Sequence, residues 1–417
     1  MKIKLSAKNL ILFQVIYNLI IKFFITDLHF PGLLNYGTDV INLLLFYCVL
    51  RKDEYTLKNH NLLPLKIVAL LWLEGSISFI LNVSSPLLYI WSLRNVYRFY
   101  VFFYCCIRTL KVKDIVTVFD ILEKFLFING VVCLFEYFVR GVDYDFLGGL
   151  FGNGIAGGNG PLNVLMFIVC SYVIFEYMNK SKSIIELACV IGICLFIAVV
   201  GEIKFFFFEL ILIVIYYVVV VKKNLKMVMF CLAAIVAGIV AMSVYVKIYP
   251  NNAGFLSLSF IQDYGLERTY GSSTDINRLS AISYIRDNIF KNDFLKTWLG
   301  IGMGNGETAQ FSFLTSPFFA EYGDRIKYNW FSHAFMFVEN GYIGVALYFG
   351  FFISVFWHSL KKIKENKWMQ LCTLIIIEVI ILVVYNQTLR VETMGYILFL
   401  IISMPYLKQN ENERVVN

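Results

Sequence analysis

Apolar runs of roughly twenty residues recur from residue 9 to residue 407, and no other feature constrains the fold as tightly. A run of about 17 to 25 apolar residues crosses the hydrocarbon core of a bilayer as a helix. Twelve such spans can be drawn, at about 9–26, 36–50, 62–81, 87–107, 121–139, 161–178, 184–201, 203–221, 227–246, 334–357, 369–386 and 394–407. The composition excludes a water-soluble globule: 59% of residues are hydrophobic, 16% are charged and 40 are phenylalanine, with a mean hydropathy of +0.71. The sequence therefore predicts an all-α polytopic membrane protein with about 12 transmembrane helices. Residues 1–417 read as one integral membrane domain, interrupted by a polar segment of 86 residues at 247–332. That segment is expected to be one large external loop.

Lysine and arginine give the orientation, because short cytoplasmic loops collect positive charge. Lys2, Lys4 and Lys8, then Arg51, Lys52 and Lys58, then Arg108, Lys111 and Lys113 fall on alternate turns. So do Lys180 and Lys182, then Lys222, Lys223 and Lys226, then Lys361, Lys362, Lys364 and Lys367. Twelve spans put both termini in the cytoplasm and residues 247–332 outside. The net charge of +7 reports this topology and not nucleic-acid binding. The first apolar run reads as a signal anchor, without a small-residue cleavage site after it. All nine cysteines fall within or at the ends of spans and lack metal-ligand spacing.

Ionisable groups within a membrane are costly unless they face a cavity or a partner. Arg94 and Arg98 project from one helix face, about 11 to 17 Å below the outer end of the fourth span at roughly 1.5 Å per residue. Glu74 in the third span is at a comparable depth, and Glu202, Lys204 and Glu209 cluster at the outer start of the eighth. The outer half of the bundle is expected to hold a polar cavity. One reading makes Arg94, Arg98 and Glu74 a structural ion-pair network, and the sharper one makes the cavity an anion site suited to phosphate or diphosphate. Glu136 and Arg140, also four apart, read as a solvated pair at a helix end.

Two glycine-rich stretches could approach a ligand closely: "GLFGNGIAGGNGPLN" before the sixth span and "WLGIGMGNG" in the external segment. The first could equally be a flexible external turn, and the second reads as close backbone packing or a phosphate contact and not as a nucleotide-binding loop. "INRLSAISYIRDNIF" reads as an amphipathic helix that brings Arg278 and Arg286 to neighbouring faces, about 12 Å apart along its axis. His333 stands at the outer mouth of the tenth span, with Glu339 less than two turns below. A histidine there can act as a general base or simply make an interfacial hydrogen bond. No metal site is expected, since His29, His60 and His358 are far apart in sequence.

These stretches, in this order, resemble the bacterial O-antigen and exopolysaccharide polymerases of the Wzy type, within a wider polymerase and ligase superfamily. The residues carrying the resemblance are "GLFGNGIAGGNGPLN", "GEIKFFFFE", "INRLSAISYIRDNIFKNDFLKTWLGIGMGN" and "SHAFMFVENGYIGVALYF". The resemblance implies elongation of a surface glycan at the outer face of the bacterial cytoplasmic membrane. Donor and acceptor are oligosaccharide repeats on undecaprenyl diphosphate, with a flippase and a chain-length regulator as expected protein partners and no cofactor. Arg278 matches the arginine that precedes the family's glycine-rich stretch, and Lys204 falls where relatives often carry a basic residue. Many relatives have a His-Asn pair eleven residues before the glycine matching Gly341, where this chain has Trp330; His333 is eight before it and is followed by Ala334. The expected site is then Arg278, Lys204, Arg94, Arg98 and Arg286 on the diphosphate, with His333 or Glu339 removing the proton. The rival expectations are an O-antigen ligase and a lipid-linked glycan flippase or transporter.

Overall fold

The computed structural model describes residues 6–51, 63–82, 85–142, 146–152, 158–220, 225–250, 262 and 275–407, and for 225–235 the backbone alone. Outside them lie Lys2, Lys4, Lys52, Lys58, Lys222 and Lys223, residues 153–157 of the first glycine-rich stretch, and 251–261 and 263–274 of the polar segment. The described residues form helices and turns, with no β-strand among them.

The long helices are α1 (Ala7–Thr26), α2 (Gly37–Leu50), α3 (Leu63–Leu81), α4 (Pro86–Thr109), α5 (Val112–Phe138), α6 (Asn159–Met178), α7 (Ile184–Val200), α8 (Lys204–Val220) and α9 (Leu225–Ile248). After the short α10 (Ala281–Tyr284) and α11 (Phe294–Leu299) come α12 (Ser332–Lys362), α13 (Trp368–Tyr385) and α14 (Glu392–Ile401). Local signals start several of them. Ser183 accepts from the Glu186 amide at the head of α7, Ser6 accepts from Asn9 at α1, and Pro86 opens α4.

A helix runs through each of the twelve apolar stretches, and among the described residues six helices are long and apolar enough to cross a membrane: 7–26, 32–50, 63–81, 159–178, 332–362 and 368–385. By these helices the protein is a membrane protein. Helix α6 is central, 78% of its apolar window being buried against 28% for α3, as expected of a helix apolar all round. Polar side chains inside the bundle fasten helices together: Gln14 donates to the Thr38 carbonyl at 3.2 Å and Asn42 to the Arg98 carbonyl at 2.9 Å. Cys105, Cys106, Cys133, Cys170, Cys194 and Cys372 are buried and free.

Helix α12 is broken at Gly341, whose backbone is left-handed (φ 59°, ψ −160°). The break lets the polar segment enter the bundle. Residues 298–306 thread between α3, α4 and α12, where Ile301 and Gly302 donate their amides to the Val338 and Glu339 carbonyls at 2.9 and 3.1 Å. A Cβ on Gly341 would come within 2.3 Å of the Trp298 carbonyl carbon, and one on Gly300 within 2.3 Å of that of Glu339. Irregular backbone at membrane depth is tolerated when protein satisfies it in this way. The amphipathic helix expected over 276–290 is shorter and interrupted: α10 gives way to a π-turn over Ile285–Ile289, and Arg278 lies before its start.

Candidate functional site

A polar cavity of about 250 Å³ lies where α1, α4 and the turn between α13 and α14 meet residues 306–310. Four cations face it: Lys22, Arg94, Arg98 and Arg390. Glu307 and Glu392 share its wall, and Asp39 pairs with Arg94 at 2.5 Å. Four positive charges less three negative leave a formal excess of one.

The helical spacing of Arg94 and Arg98 brings both to this cavity, but their carboxylate partners are not Glu74. Arg94 donates twice to Asp39 (3.1 and 2.5 Å) and once to Asn95 (2.5 Å), and lies over the rings of Tyr36 and Trp91. Arg98 donates to Glu392 at 2.6 Å and to the Arg390 carbonyl at 3.2 Å. Glu74 instead accepts from Asn340 at 2.8 Å. The network joins α2, α4 and α14 while lining the cavity, so the structural and the anion-site readings describe the same two arginines.

Lys22 and Arg390 make no salt bridge within 4.0 Å among the described residues. Arg390 donates to the Asn329 carbonyl at 3.4 Å and lies over Phe335. Burial holds its guanidinium below the ordinary arginine value, while Glu307 and Glu339 favour its charge. Glu307 accepts from Asn95 through Oε2 at 2.8 Å, and its Oε1 has no hydrogen-bond partner among the described residues. Burial pushes the Glu307 carboxyl above the ordinary carboxylate value, with Arg390, the Asn95 hydrogen bond, Arg98 and Arg94 pulling the other way.

The remaining expected site residues stand elsewhere. Arg278 donates through Nε to the Tyr385 carbonyl at 2.7 Å and lies over the Tyr385 ring. His333 is buried, with Nε2 2.8 Å from the Arg278 carbonyl and Nδ1 3.2 Å from that of Val383. Both ring nitrogens thus face backbone acceptors. Lys204 pairs with Glu202 at 2.9 Å, and Arg286 with Asp287 at 2.7 Å while reaching the Tyr342 hydroxyl. None of Arg278, Lys204, Arg286 and His333 lines the cavity. The end of α13 and the turn after it pass from one region to the other, the helix touching Arg278 through Tyr385 and the turn lining the cavity with Gln387 and Arg390.

Glu339 is fully buried and accepts from Ser92 at 2.7 Å and from the amides of Gly304 and Gly306 at 2.9 and 3.1 Å. Those glycine amides, candidates for a phosphate, are therefore occupied by a side chain of the protein. Glu136 also departs from the expected solvated pair. Glu136 is buried and accepts from Gly149 at 2.8 Å, while Arg140 reaches Asp27 at 2.7 Å and keeps Glu136 at 4.0 Å. Lys22, Arg390, Glu307, Glu392 and Asp39 are absent from the site expected of the sequence. Arg390 had a signal, since it lies in a short turn that the charge rule assigns outside, where arginine is out of place. Among the described residues, no group of three histidine, cysteine or acidic residues could hold a metal ion.

No known protein family model matches the chain, and no curated protein matches it.

Proposed function

We propose that this protein is a membrane-embedded glycosyltransferase that polymerises undecaprenyl-diphosphate-linked oligosaccharide repeats at the outer face of a bacterial cytoplasmic membrane. The observation that carries the reading is the convergence of Lys22, Arg94, Arg98 and Arg390 on one polar cavity. Positive charge in the turns assigns that end of the bundle to the outside, with α4, α5, α7, α8, α9 and α14 completing twelve spans and both termini inside.

Glycosyl transfer from a lipid diphosphate needs cations where negative charge develops on the leaving group. Lys22 and Arg390 supply them directly, and Arg94 and Arg98 are held ready by Asp39 and Glu392. The volume is below the roughly 300–1,000 Å³ of sites that engulf a drug-sized ligand. It suits a diphosphate and the sugar atoms next to it, leaving the rest of the glycan outside. Arg278, Lys204 and Arg286 are assigned to holding the surrounding structure, and His333 to fastening α12 to α13 and to the Arg278 carbonyl.

The test uses protein in nanodiscs with lipid-linked repeats extracted from a strain lacking the gene. The wild type should convert single repeats to polymer, and Arg390→Ala should not. Polymerisation by Arg390→Ala at the wild-type rate would exclude this cavity as the site.

A further inference from the structure

We infer that Glu307 is the proton acceptor of the transfer, an assignment that rests on reading the cavity as a glycan-transfer site. A group in that role must reach the attacking hydroxyl and keep a lone pair free for its proton. The carboxylates around the cavity differ in how firmly donors and cations hold them. Glu339 has three donors on its two oxygens, while Glu392 is ion-paired through Oε1 to Arg98 at 2.6 Å with Arg94 at 3.7 Å and Asp39 holds Arg94 through Oδ2, so that a guanidinium weakens each of these two as a base. Glu307 is on the cavity wall and makes no salt bridge within 4.0 Å among the described residues, with one oxygen on Asn95 and the other buried without a hydrogen-bond partner among them.

The backbone holds it there. The Ser316 amide donates to the Glu307 carbonyl at 2.9 Å, and the Tyr328 hydroxyl to that of Gly306 at 2.6 Å. Glu339, through the Gly304 and Gly306 amides, fixes the strand of chain that presents Glu307. Burial also makes Glu307 a stronger base than a solvated carboxylate.

In the step, the acceptor hydroxyl oxygen forms a bond to the anomeric carbon of the donor sugar as the bond from that carbon to the phosphate oxygen breaks. The hydroxyl proton passes to Glu307, and the electron pair of the broken bond leaves with undecaprenyl diphosphate, beside Lys22 and Arg390. No oxidant or metal is required for the balance.

The experiment compares wild type, Glu307→Gln and Glu307→Asp in nanodiscs, reading polymer from extracted lipid-linked repeats and thermal stabilisation by undecaprenyl diphosphate. A general base contributes about 10²–10⁴-fold, so Glu307→Gln should lose that much rate while undecaprenyl diphosphate still stabilises it as it does the wild type. Glu307→Asp should recover part of the rate, with activity falling as the pH drops through its carboxyl range. Near-wild-type polymerisation by Glu307→Gln would overturn the assignment and leave the function standing. Loss of both polymer and stabilisation would make Glu307 a binding or structural group, also overturning it. Absence of polymer from the wild type would remove the function and this role together.

Discussion

Arg390 and Arg278 make opposite predictions although both are arginines set against aromatic rings. Arg390 faces the cavity without a salt bridge among the described residues, so Arg390→Ala should cost roughly 10²–10³ in rate, the range for losing one donor to developing charge, with little change in melting temperature. Arg278 fastens the Tyr385 carbonyl. Arg278→Ala should lower the melting temperature, by about 1.5–3 kcal/mol of stability for a charged hydrogen bond, and leave residual polymer. Polymer assays beside thermal unfolding of both variants separate the two roles. Glu339→Ala should destabilise by at least about 1–3 kcal/mol, since it strands the Gly304 and Gly306 amides and the Ser92 hydroxyl in a buried site. Glu339→Gln, which keeps an acceptor, should unfold between that variant and the wild type. Arg94 and Arg98 were legible because charge inside an apolar run is conspicuous and a four-residue spacing fixes a common face. Lys22 was not, because it is a lone cation at the end of a span, and Arg390 showed only as an arginine in a turn where the charge rule expects none. Their meaning comes from neighbours more than 290 residues apart in sequence, as with Arg98 and Glu392.

At the scale of elements, the long helices follow from apolar length, and each of the twelve stretches carries one. Glycine was read less well. The stretch 300–306 looked able to approach a ligand closely, and in the structure the close approach is to the broken turn of α12. The sequence carries a sign that Gly341 leaves the helical conformation, since Glu339, Asn340 and Gly341 interrupt the apolar run with an Asn-Gly pair, but the apolar residues on both sides still read as one span. The π-turn after α10 was equally hidden, since it preserves most of the helical spacing. Gly341→Ala should prevent folding, as its Cβ meets backbone that cannot rotate away and its φ of 59° disfavours any L side chain. Gly192→Ala is the control. Nothing lies within 4 Å of a Cβ there, and alanine should stabilise helix α7 by about 0.5–1 kcal/mol. Size-exclusion profiles of the two variants in detergent check both outcomes.

For the whole molecule, the proposed function requires the cavity end to face outside. A membrane-impermeant thiol reagent should label Gln310→Cys in intact cells, and Ser181→Cys, in the turn between α6 and α7, only after permeabilisation. Labelling in the reverse order would invert the topology and separate the cavity from any substrate on the outer face. Composition made the membrane class and the helical architecture readable, because the hydrocarbon core leaves a chain few alternatives. The site was readable only in part, since a cavity is assembled from the ends of several helices and its walls are set by packing. The most direct measurement is mass spectrometry of lipid-linked glycans from a strain lacking the gene, complemented with wild type or with Arg390→Ala. Single repeats should accumulate on the outer face without the gene, polymer should return with the wild type, and Arg390→Ala should leave single repeats. Long polymer retained on undecaprenyl diphosphate in the deletion strain, as for a missing ligase, or repeats trapped on the cytoplasmic face, as for a missing flippase, would contradict the account.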